Sequence, residues 1–438
     1  MKILIISQEV WRDDTNGGNV LSNIFDGMEA EFAQIYCSPG TPSNGICKRY
    51  YQMTDIMVIN NILRKLPIGK IVKYENFPED IQESYYMDDR NKRFYNFFRK
   101  YNFESFRIIK EVLWKFSNWK NSDLKEFIED FNPDIIFSPC YGSHNMLAID
   151  RYVAELTNRP VISYISDDHY SLQQFSLSPL YWLNRLILRN NLRKTFKYYD
   201  LTYTMTDEQL IECQNVFDCD MKILRKSVDL SKVPQRLQIN RPIKLIYAGG
   251  IYLNRWKTLA AVAQAIKEIN KNGIKMTLDI YTGNELSEKQ KLLLNDGENS
   301  ILHGAISQDE LREKYYDSDI ALHVESFDIK NRLRTRISFS TKIVDCLTSG
   351  CATMAICWEK QAGYNYLKRE NAAICIDNIA DIKLKLKQIA DDPSILTEYR
   401  TSAYKCLENN HQQSDVRVQI MNDFSKIMRG ERYESSAN

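Results

Sequence analysis

The sequence is poor in the residues that hold metal ions or build disulfide frameworks. Among its 438 residues are only five histidines, and its ten cysteines are scattered without a C-x-x-C pair. Cysteines spread in this way are typical of reduced thiols, not of disulfides or a zinc site. We therefore expect a cytoplasmic protein that requires neither a metal ion nor a bound cofactor.

Long runs of one residue type are also missing. No stretch approaches the roughly 18 apolar residues of a membrane span, and the apolar run in the opening MKILIISQEV is too short for a signal peptide. The net charge is +1 and no dense Lys/Arg run occurs, which argues against nucleic acid as a partner. The glycines never form G-x-G-x-x-G, so the signature of nicotinamide-dependent hydride transfer is absent.

What the sequence does contain is an alternation of short apolar runs with longer amphipathic segments. The predicted strands are KILIIS (2–7), FAQIYC (32–37), DIIFSP (134–139), VISYIS (161–166), LTYTMT (201–206), MKILRKS (221–227), KLIYAGG (244–250), MTLDIY (276–281), SILHGAI (300–306), DIALHVE (319–325), ATMAIC (352–357) and AAICID (372–377). Strands that alternate with helices indicate parallel, doubly wound sheets. The prediction is an α/β protein with two Rossmann-like domains facing a central cleft.

The domain boundaries follow from the same pattern. A polar linker at 230–242 separates the two series of strands. An aromatic and charged region, at about 48–125, interrupts the first series. Amphipathic spacing near the end of the chain predicts a last helix. The predicted parts are an N-terminal domain (1–235) with a helical insertion (around 48–125), a C-terminal domain (240–410), and a final helix that packs back across the domains, with a tail (411–438).

Two loops that follow predicted strands carry residues suited to phosphates. Gly17 and Gly18 come after the first strand and just before a helical pattern, where backbone N–H groups can approach an anion. Arg255 and Lys257 follow the strand 244–250, where two cations suit a diphosphate. The alternatives are an ordinary flexible loop and a solvated surface pair.

The stretch FSTKIVDCLTSGC (339–351) gives the most informative pattern. Ser340 is a good N-cap, and Thr341 and Lys342 add a hydroxyl and a cation at the predicted helix start. Asp345 lies one turn further along the same face, where a carboxylate can accept hydrogen bonds from both ribose hydroxyls. The pattern indicates a nucleoside diphosphate; the alternative is a capped surface helix with an incidental acid.

Polar residues also follow strands in the first half of the chain. ISYISDDHYS places Asp168 and His169 after one strand, and PCYGSHNML places His144 and Asn145 after another. An acid or imidazole there can bind or deprotonate a ligand hydroxyl. For the neighbouring Asp167, capping of the next helix is the alternative.

The segments KLIYAGG, IYTGNE, ILHGAISQDELREKYYDSDIALHVE and FSTKIVDCLTSGCATMA, in this order and spacing, resemble the donor-binding half of the GT-B glycosyltransferases, retaining group 1 (family 4). The resemblance covers about residues 240–390. The first half is similar more loosely, through MKILIIS, the Gly17–Gly18 loop, FNPDIIFSP and KILRKSVDL. The resemblance implies that the C-terminal domain binds the nucleotide sugar and that the N-terminal domain binds the acceptor. The residues expected to orient the acceptor hydroxyl or touch the donor sugar are His144, Asn145, Asp168 and His169.

The resemblance implies a role for each matching residue. Asp345 takes the place of the family's ribose carboxylate, and Lys342 lies where that family holds phosphates. Ser340 and Thr341 would also contact the phosphates, and Arg255 and Lys257 would form the basic pair on the diphosphate. The loops expected to hold the base contain Gly283, Gly304, Ala305 and Ile306. The family's first glutamate would fall eight positions before Asp345, on Ile337. Glu325 or Arg336 is expected to substitute for it, and Glu325 is therefore a catalytic candidate with Asp168 and His169.

The implied reaction is metal-independent transfer of a sugar, a hexose by expectation, from a UDP or GDP sugar to a hydroxyl of a glycan or lipid-linked acceptor. The anomeric configuration would be retained, and the pathway would be synthesis of cell-surface polysaccharide or glycoconjugate. Two alternatives stay open. A catalytically weak, glycosyltransferase-like partner subunit is favoured by Ile337, and a GT-B sugar-nucleotide epimerase would need more cleft acids and histidines.

A basic stripe at 179–199 bears on where in the cell the protein acts. Arg185, Arg189, Arg193 and Lys197 are four residues apart, beside several apolar side chains. Such a helix can lie on an anionic membrane, here at the inner face, as a peripheral contact. The alternative is a helix packed on its own domain with a solvated basic face.

Overall fold

The computed structural model describes residues 1–13, 16–74, 104–236 and 238–431, without the side chains of 16–18, 73 and 104–107. The first sheet has eight strands in the order β4-β3-β2-β1-β5-β6-β7-β8. All neighbours are parallel except β3 and β4. The strands are β1 (Lys2–Ser7), β2 (Glu31–Tyr36), β3 (Arg49–Gln52), β4 (Lys70–Lys73), β5 (Ile135–Pro139), β6 (Val161–Tyr164), β7 (Leu201–Thr204) and β8 (Met221–Ile223).

The second sheet is entirely parallel, with six strands in the order β11-β10-β9-β12-β13-β14. Its strands are β9 (Ile243–Ala248), β10 (Met276–Tyr281), β11 (Ser300–His303), β12 (Ile320–Val324), β13 (Ala352–Ile356) and β14 (Ile374–Ile376). Every strand that the sequence predicted is present. The predicted fold class, two doubly wound sheets flanked by helices, is confirmed.

Sixteen described α-helices flank the sheets. They are α1 (Asn16–Phe25), α2 (Asp55–Arg64), α3 (Glu104–Phe116), α4 (Ser122–Phe131), α5 (His144–Thr157), α6 (Pro179–Phe196), α7 (Asp207–Gln214), α8 (Arg255–Ile269), α9 (Glu288–Leu294), α10 (Gln308–Tyr316), α11 (Ile329–Arg334), α12 (Lys342–Thr348), α13 (Ala362–Arg369), α14 (Ile382–Asp391), α15 (Ile395–Asn410) and α16 (Gln413–Met428). No helix in the described part of the chain has the length and apolarity to cross a membrane.

The continuous apolar strands are explained by burial on both faces of the sheets. In β1, Ile3 and Ile5 belong to one apolar core, whereas Leu4 and Ile6 belong to another on the opposite face. All four side chains are fully buried. Each such side chain contributes about 1.5–3 kcal/mol by leaving water, so parallel strands need apolar residues at successive positions.

The aromatic region 48–125 is only partly helical, so the sequence interpretation was too simple. Its described part contains β3 and β4 as well as α2, α3 and the start of α4. Tyr50 and Tyr51 lie in β3 and are fully buried, because this strand adds to the edge of β2. Residues 75–103, also interpreted as helical, lie outside the described residues.

The chain passes between the two halves at two adjacent places. Val228, after β8, and Gln412, before α16, form an isolated parallel bridge. Helix α16 then packs on the first sheet, where Phe424 approaches Phe25 with ring centroids 6.3 Å apart. The hydroxyl of Tyr203 in β7 donates to Asp423 at 2.8 Å. The last helix therefore completes the core of the first sheet.

Candidate functional site

Lys342 lies where the second sheet's carboxyl edge meets the start of α12. Its Nζ atom is 5.7 Å from the ring centroid of Tyr247, at the end of β9. Gly249 follows β9 with φ +140°, and a Cβ atom there would lie only 2.0 Å from Nζ. A glycine is therefore needed at this position, both for its backbone conformation and for the close passage of the lysine side chain.

The ammonium group of Lys342 has no carboxylate within ion-pair distance among the described residues. Burial, followed by the positive charge of Arg255, lowers the pKa of Lys342 to about 8. Withdrawing a cation from water without a partner costs free energy. An anionic ligand placed beside Gly249 would recover that cost, which makes this corner a candidate anion site.

Arg255 and Glu325, two other predicted site residues, are bound to each other. Arg255 is the first residue of α8, and its Nη2 and Nε atoms donate to Glu325 at 2.7 and 3.0 Å. Both side chains are buried. The bidentate pair neutralises Arg255, so in this state neither residue is directly available to a substrate.

Lys257 points elsewhere. Its Nζ atom is 3.1 Å from both carboxylate oxygens of Asp328, and the pair is well exposed. The expected cluster of three cations therefore reduces to Lys342 and the neutralised Arg255. The diphosphate role of Lys257 stays a prediction that would require it to leave Asp328.

Helix α12 begins one residue later than the sequence predicted from Ser340. Thr341, with φ −57° and ψ −23°, is the N-cap and makes no side-chain capping bond, so the prediction of Ser340 as N-cap is wrong. The physical reason is a tighter turn, in which the N–H group of Ile343 already donates to the carbonyl of Ser340 at 2.9 Å. No hydrogen bond from either hydroxyl to another described residue is present, so both remain available to a ligand.

Asp345, the predicted ribose residue, is paired across the two halves of the molecule. Its Oδ1 atom lies 2.6 Å from Nζ of Lys226, which follows β8 of the first sheet. About half of the Asp345 side chain is exposed. A ribose at this point would have to share the carboxylate with Lys226 or displace it.

The predicted base-holding loops lie together beside an open cavity of about 460 Å³. Gly304 lines this cavity, and a Cβ atom on Gly283 would lie 3.4 Å from that of Ala305. Ile306 instead packs against a small apolar core next to the sheet. The other lining residues are Thr282, Asn284, Glu285, Leu286, Lys291, Leu302 and His303.

His303 is a residue of this cavity that sequence reasoning missed. Its ring stacks on Tyr281, with centroids 4.4 Å apart and planes 10° from parallel. Its Nε2 atom lies 2.6 Å from Oδ1 of Asp279. It was missed because the predicted strand ran on to Ile306, whereas β11 ends at His303, at the edge of the sheet where ligand-binding residues collect.

Asp168 is withdrawn from the cleft. Its side chain is fully buried and forms an ion pair with Arg185 at 2.8 Å. It also accepts from the N–H group of Ser171 at 2.8 Å and from Nε2 of Gln174 at 2.7 Å. These contacts hold the loop after β6, so in this geometry Asp168 supports structure, and its catalytic role stays a prediction.

The other acceptor-side residues surround the ends of β5 and β6. The His169 ring packs on Gly142, where a Cβ atom would lie 2.4 Å from its Nδ1. His144 starts α5, and its Nδ1 is 2.9 Å from the Asn191 amide. Asn145 is buried, and neither amide atom of its side chain has a hydrogen-bond partner among the residues that the structure describes. An unpartnered buried amide is suited to a ligand hydroxyl.

Glu111 in α3 was not anticipated at this place. Its carboxylate oxygens accept from the N–H groups of His144 and Asn145 at 3.2 and 3.1 Å. Burial raises the pKa of Glu111, while His144 opposes that effect. No sequence signal pointed to Glu111, because it lies in the region interpreted as an insertion.

Gly17 and Gly18 lie inside the first turn of α1, which begins at Asn16. The sequence placed both glycines before the helix, so the predicted start was at least three residues too late. Their contacts lie outside what the structure describes, and their part in phosphate binding stays a prediction.

Ile337 does not face the cleft. It is fully buried and packs in a core of the first sheet that includes Tyr170, Cys213 and Phe217. Its neighbour Arg336 forms a two-pronged ion pair with Glu212 of α7, with Nη2 to Oε2 at 2.7 Å. The segment before α12 is therefore a structural joint between the two halves, and neither residue replaces a sugar-binding glutamate in this state.

No family profile matches the chain, and no curated protein matches it in sequence. Solved structures do match. Sucrose-phosphate synthase from Thermosynechococcus elongatus superposes with a TM-score of 0.64 at 10% identity, covering 98% of this chain and 100% of that one. HepE from Anabaena in complex with UDP gives 0.62 at 10% identity, with 97% and 100% covered.

The pneumococcal O-GlcNAc transferase GtfA, in complex with UDP and GlcNAc, gives a TM-score of 0.60 at 12% identity, covering 98% of this chain and 99% of that one. Identities this low establish the fold alone. The similarity extends over nearly the full length of each protein. The chain has the GT-B fold, as the sequence motifs predicted.

Proposed function

We propose that the protein is a glycosyltransferase that takes a sugar from a nucleotide-diphosphate sugar. The observation that carries the proposal is the unpaired ammonium of Lys342, half-buried behind Gly249 at the start of α12. The hydroxyls of Ser340 and Thr341 and the carboxylate of Asp345 lie on the same short stretch. In a GT-B fold this arrangement suits the diphosphate and ribose of a donor.

The chemistry asked of these residues is mainly electrostatic. The bond between the anomeric carbon and a diphosphate oxygen breaks, the acceptor oxygen bonds to that carbon, and the proton of the acceptor hydroxyl passes to the departing diphosphate. Negative charge accumulates on the diphosphate as it leaves, and a preorganised cation in a water-poor corner stabilises it. Lys342 supplies that cation, because its ammonium is desolvated in advance and has no carboxylate within ion-pair distance among the described residues.

The donor nucleotide to test first is a uridine diphosphate. HepE and GtfA are similar structures that were solved with UDP, and the cavity beside Gly304 suits a nucleobase next to His303. The proposal extends to a hexose donor, retention of the anomeric configuration, and a glycan or lipid-linked hydroxyl acceptor in cell-surface polysaccharide or glycoconjugate synthesis. These finer assignments rest on the motif resemblance.

A second function is favoured by specific contacts. Ile337 is buried between the halves, Asp168 is enclosed by its loop, and Glu325 is held by Arg255. A subunit that binds a nucleotide sugar without turnover would tolerate all three. This partner-subunit function predicts donor binding without sugar transfer.

Titration calorimetry with UDP, GDP and their common sugar conjugates tests the nucleotide site. Release of free nucleoside diphosphate in the presence of glycan and lipid-linked acceptors tests turnover. We expect micromolar to millimolar binding of one nucleotide and acceptor-dependent release. Binding without release would favour the partner subunit, and no binding of any nucleotide would refute both functions.

The metal-free mechanism is tested in the same assay. We expect turnover to persist after exhaustive treatment with EDTA and to gain less than twofold from added Mg²⁺ or Mn²⁺, because Lys342 already supplies positive charge at the diphosphate. Loss of turnover that returns only with a divalent cation would show that the metal-free expectation is wrong.

A further inference from the structure

An exposed apolar surface lies beside the junction of the two halves, and the proposed reaction does not use it. We name it the loop–α6 surface. Its apolar side chains are between 38 and 89% exposed, and they occur within sixteen consecutive positions. They are Leu172, Phe175, Leu177, Leu180, Leu183, Leu186 and Ile187.

Helix α6 arranges its part of this surface on one face. Positions 180, 183, 186 and 187 are exposed, and the same face continues through the exposed Arg193, Lys194 and Lys197. These positions recur at intervals of three and four residues, the spacing of one helical face. The exposed face is therefore apolar in its first half and cationic towards its end.

The charge of this region has one sign. From 169 to 199 the chain contains no aspartate or glutamate. The prediction of one exposed basic stripe is wrong for two of its members, because Arg185 and Arg189 turn inward. Arg189 Nη1 donates to the carbonyl of Tyr170 at 2.8 Å, and Arg185 pairs with Asp168. These two arginines fasten the loop before α6 to the helix, so the loop's apolar residues stay beside those of α6.

We infer that the loop–α6 surface docks on an anionic lipid bilayer. Exposed leucines next to exposed cations fit an interface where acyl chains and anionic headgroups adjoin. Half-buried Trp182, whose Nε1 donates to the carbonyl of Ser176, is an aromatic residue at the same level. A second copy of the chain fits less well, since this surface carries no acid to receive its own cations.

The position of the surface links docking to the cleft. Its loop contacts the second half of the molecule, where Gln174 Nε2 donates to the carbonyl of Leu333 at 3.4 Å and Ser338 donates to Asp167 at 2.9 Å. A bilayer on the loop–α6 surface would lie beside the mouth between the two halves. Docking depends on surface chemistry alone, so it can hold or fail independently of the proposed reaction.

Flotation of the full chain with vesicles tests the inference. We expect binding to phosphatidylglycerol-containing vesicles and little binding to pure phosphatidylcholine vesicles. The double variant Leu183→Ser/Ile187→Ser should weaken binding about tenfold. The triple variant Arg193→Gln/Lys194→Gln/Lys197→Gln should weaken it up to about a hundredfold, since each cation near the surface contributes about a factor of five.

Matched controls exchange equally exposed residues elsewhere. Leu384→Ser/Val418→Ser and Lys267→Gln/Lys271→Gln/Lys387→Gln should stay within twofold of the unmodified protein. All substituted side chains are exposed, and unchanged thermal unfolding checks that each variant folds. The inference is overturned by absent binding to anionic vesicles, by equal loss in the controls, or by a vesicle-free dimer, in analytical ultracentrifugation, that the Leu183→Ser/Ile187→Ser change dissociates.

Discussion

At the scale of single residues, the free energy of donor binding should depend most on Lys342. We expect Lys342→Ala to weaken nucleotide-diphosphate binding by roughly 10- to 100-fold, because a charge-assisted hydrogen bond contributes about 1.5–3 kcal/mol. Calorimetry measures the loss. Lys267→Ala, an exposed change further along α8, serves as the control and should leave the affinity within twofold; equal affinities for all three proteins would contradict the site.

The pKa of Lys342 predicts how binding responds to pH. With a pKa lowered to about 8, the free protein carries the charged ammonium below that pH and loses it above. Nucleotide affinity should therefore fall as pH rises past 8, by up to about tenfold per unit. Burial raises the pKa of nearby Cys346 and Tyr247, so these groups stay neutral there.

Lys342→Arg is the matched variant for the pH experiment. A guanidinium keeps its charge throughout the range, so its binding curve should be flat between pH 7 and 10. A fall of the same steepness in both proteins would assign the titration to another group.

Sequence alone could identify Lys342 and Asp345, since their spacing places both on one helix face. It could not show that Lys226 of the other half neutralises Asp345, or that Glu325 neutralises Arg255. Both pairs join residues about 70 or more positions apart in the chain. Local spacing carries no information on such distant partners.

At the scale of elements, the turn between β9 and α8 depends on Gly249. We expect Gly249→Ala to lower the free energy of unfolding by about 1–3 kcal/mol, because alanine disfavours φ +140°. The added Cβ would also displace Lys342, and nucleotide affinity should fall at least tenfold. Urea denaturation and calorimetry measure the two effects.

Gly45→Ala is the control for that substitution. Its Cβ would meet only ordinary contacts, the nearest at 3.5 Å from the Tyr74 hydroxyl oxygen, so stability and affinity should change little. If Gly249→Ala changed stability and affinity as little as Gly45→Ala, Lys342 would not pass close to Gly249 as described.

The elements themselves were largely predictable. Strands such as β1 and β9 are continuous apolar runs, and parallel sheets covered on both faces require that composition. The short β3, RYYQ, escaped prediction because its tyrosines have no apolar alternation. In α6, basic residues spaced four apart predicted a stripe, but the spacing could not show whether that stripe faces solvent or protein. Contacts with Asp168 and Tyr170 turn Arg185 and Arg189 inward.

At the scale of the whole molecule, α16 stabilises the first sheet through Asp423. This buried carboxylate accepts from Tyr203 and pairs with Lys222. We expect Asp423→Ala to lower the free energy of unfolding by about 2–4 kcal/mol, because it removes a buried hydrogen bond and an ion pair together. Asp415→Ala on the exposed face of the same helix should change it by less than about 0.5 kcal/mol.

Chemical denaturation followed by circular dichroism measures both variants. Equal midpoints for Asp423→Ala and Asp415→Ala would show that α16 is only loosely attached. The sequence predicted a last amphipathic helix from its apolar spacing, but its polar anchor joins residues 220 positions apart. That contact is visible only in the folded chain.

The position of α16 has a consequence for biosynthesis. The first sheet emerges from the ribosome early, yet the apolar core around Phe25 stays incomplete until Phe424, almost four hundred residues later, is added. The N-terminal half must therefore wait, incompletely packed, while the whole second half is translated. A stop codon shortly before α16 would yield a chain whose first sheet exposes part of its apolar core, and chaperones and proteases recognise such surfaces.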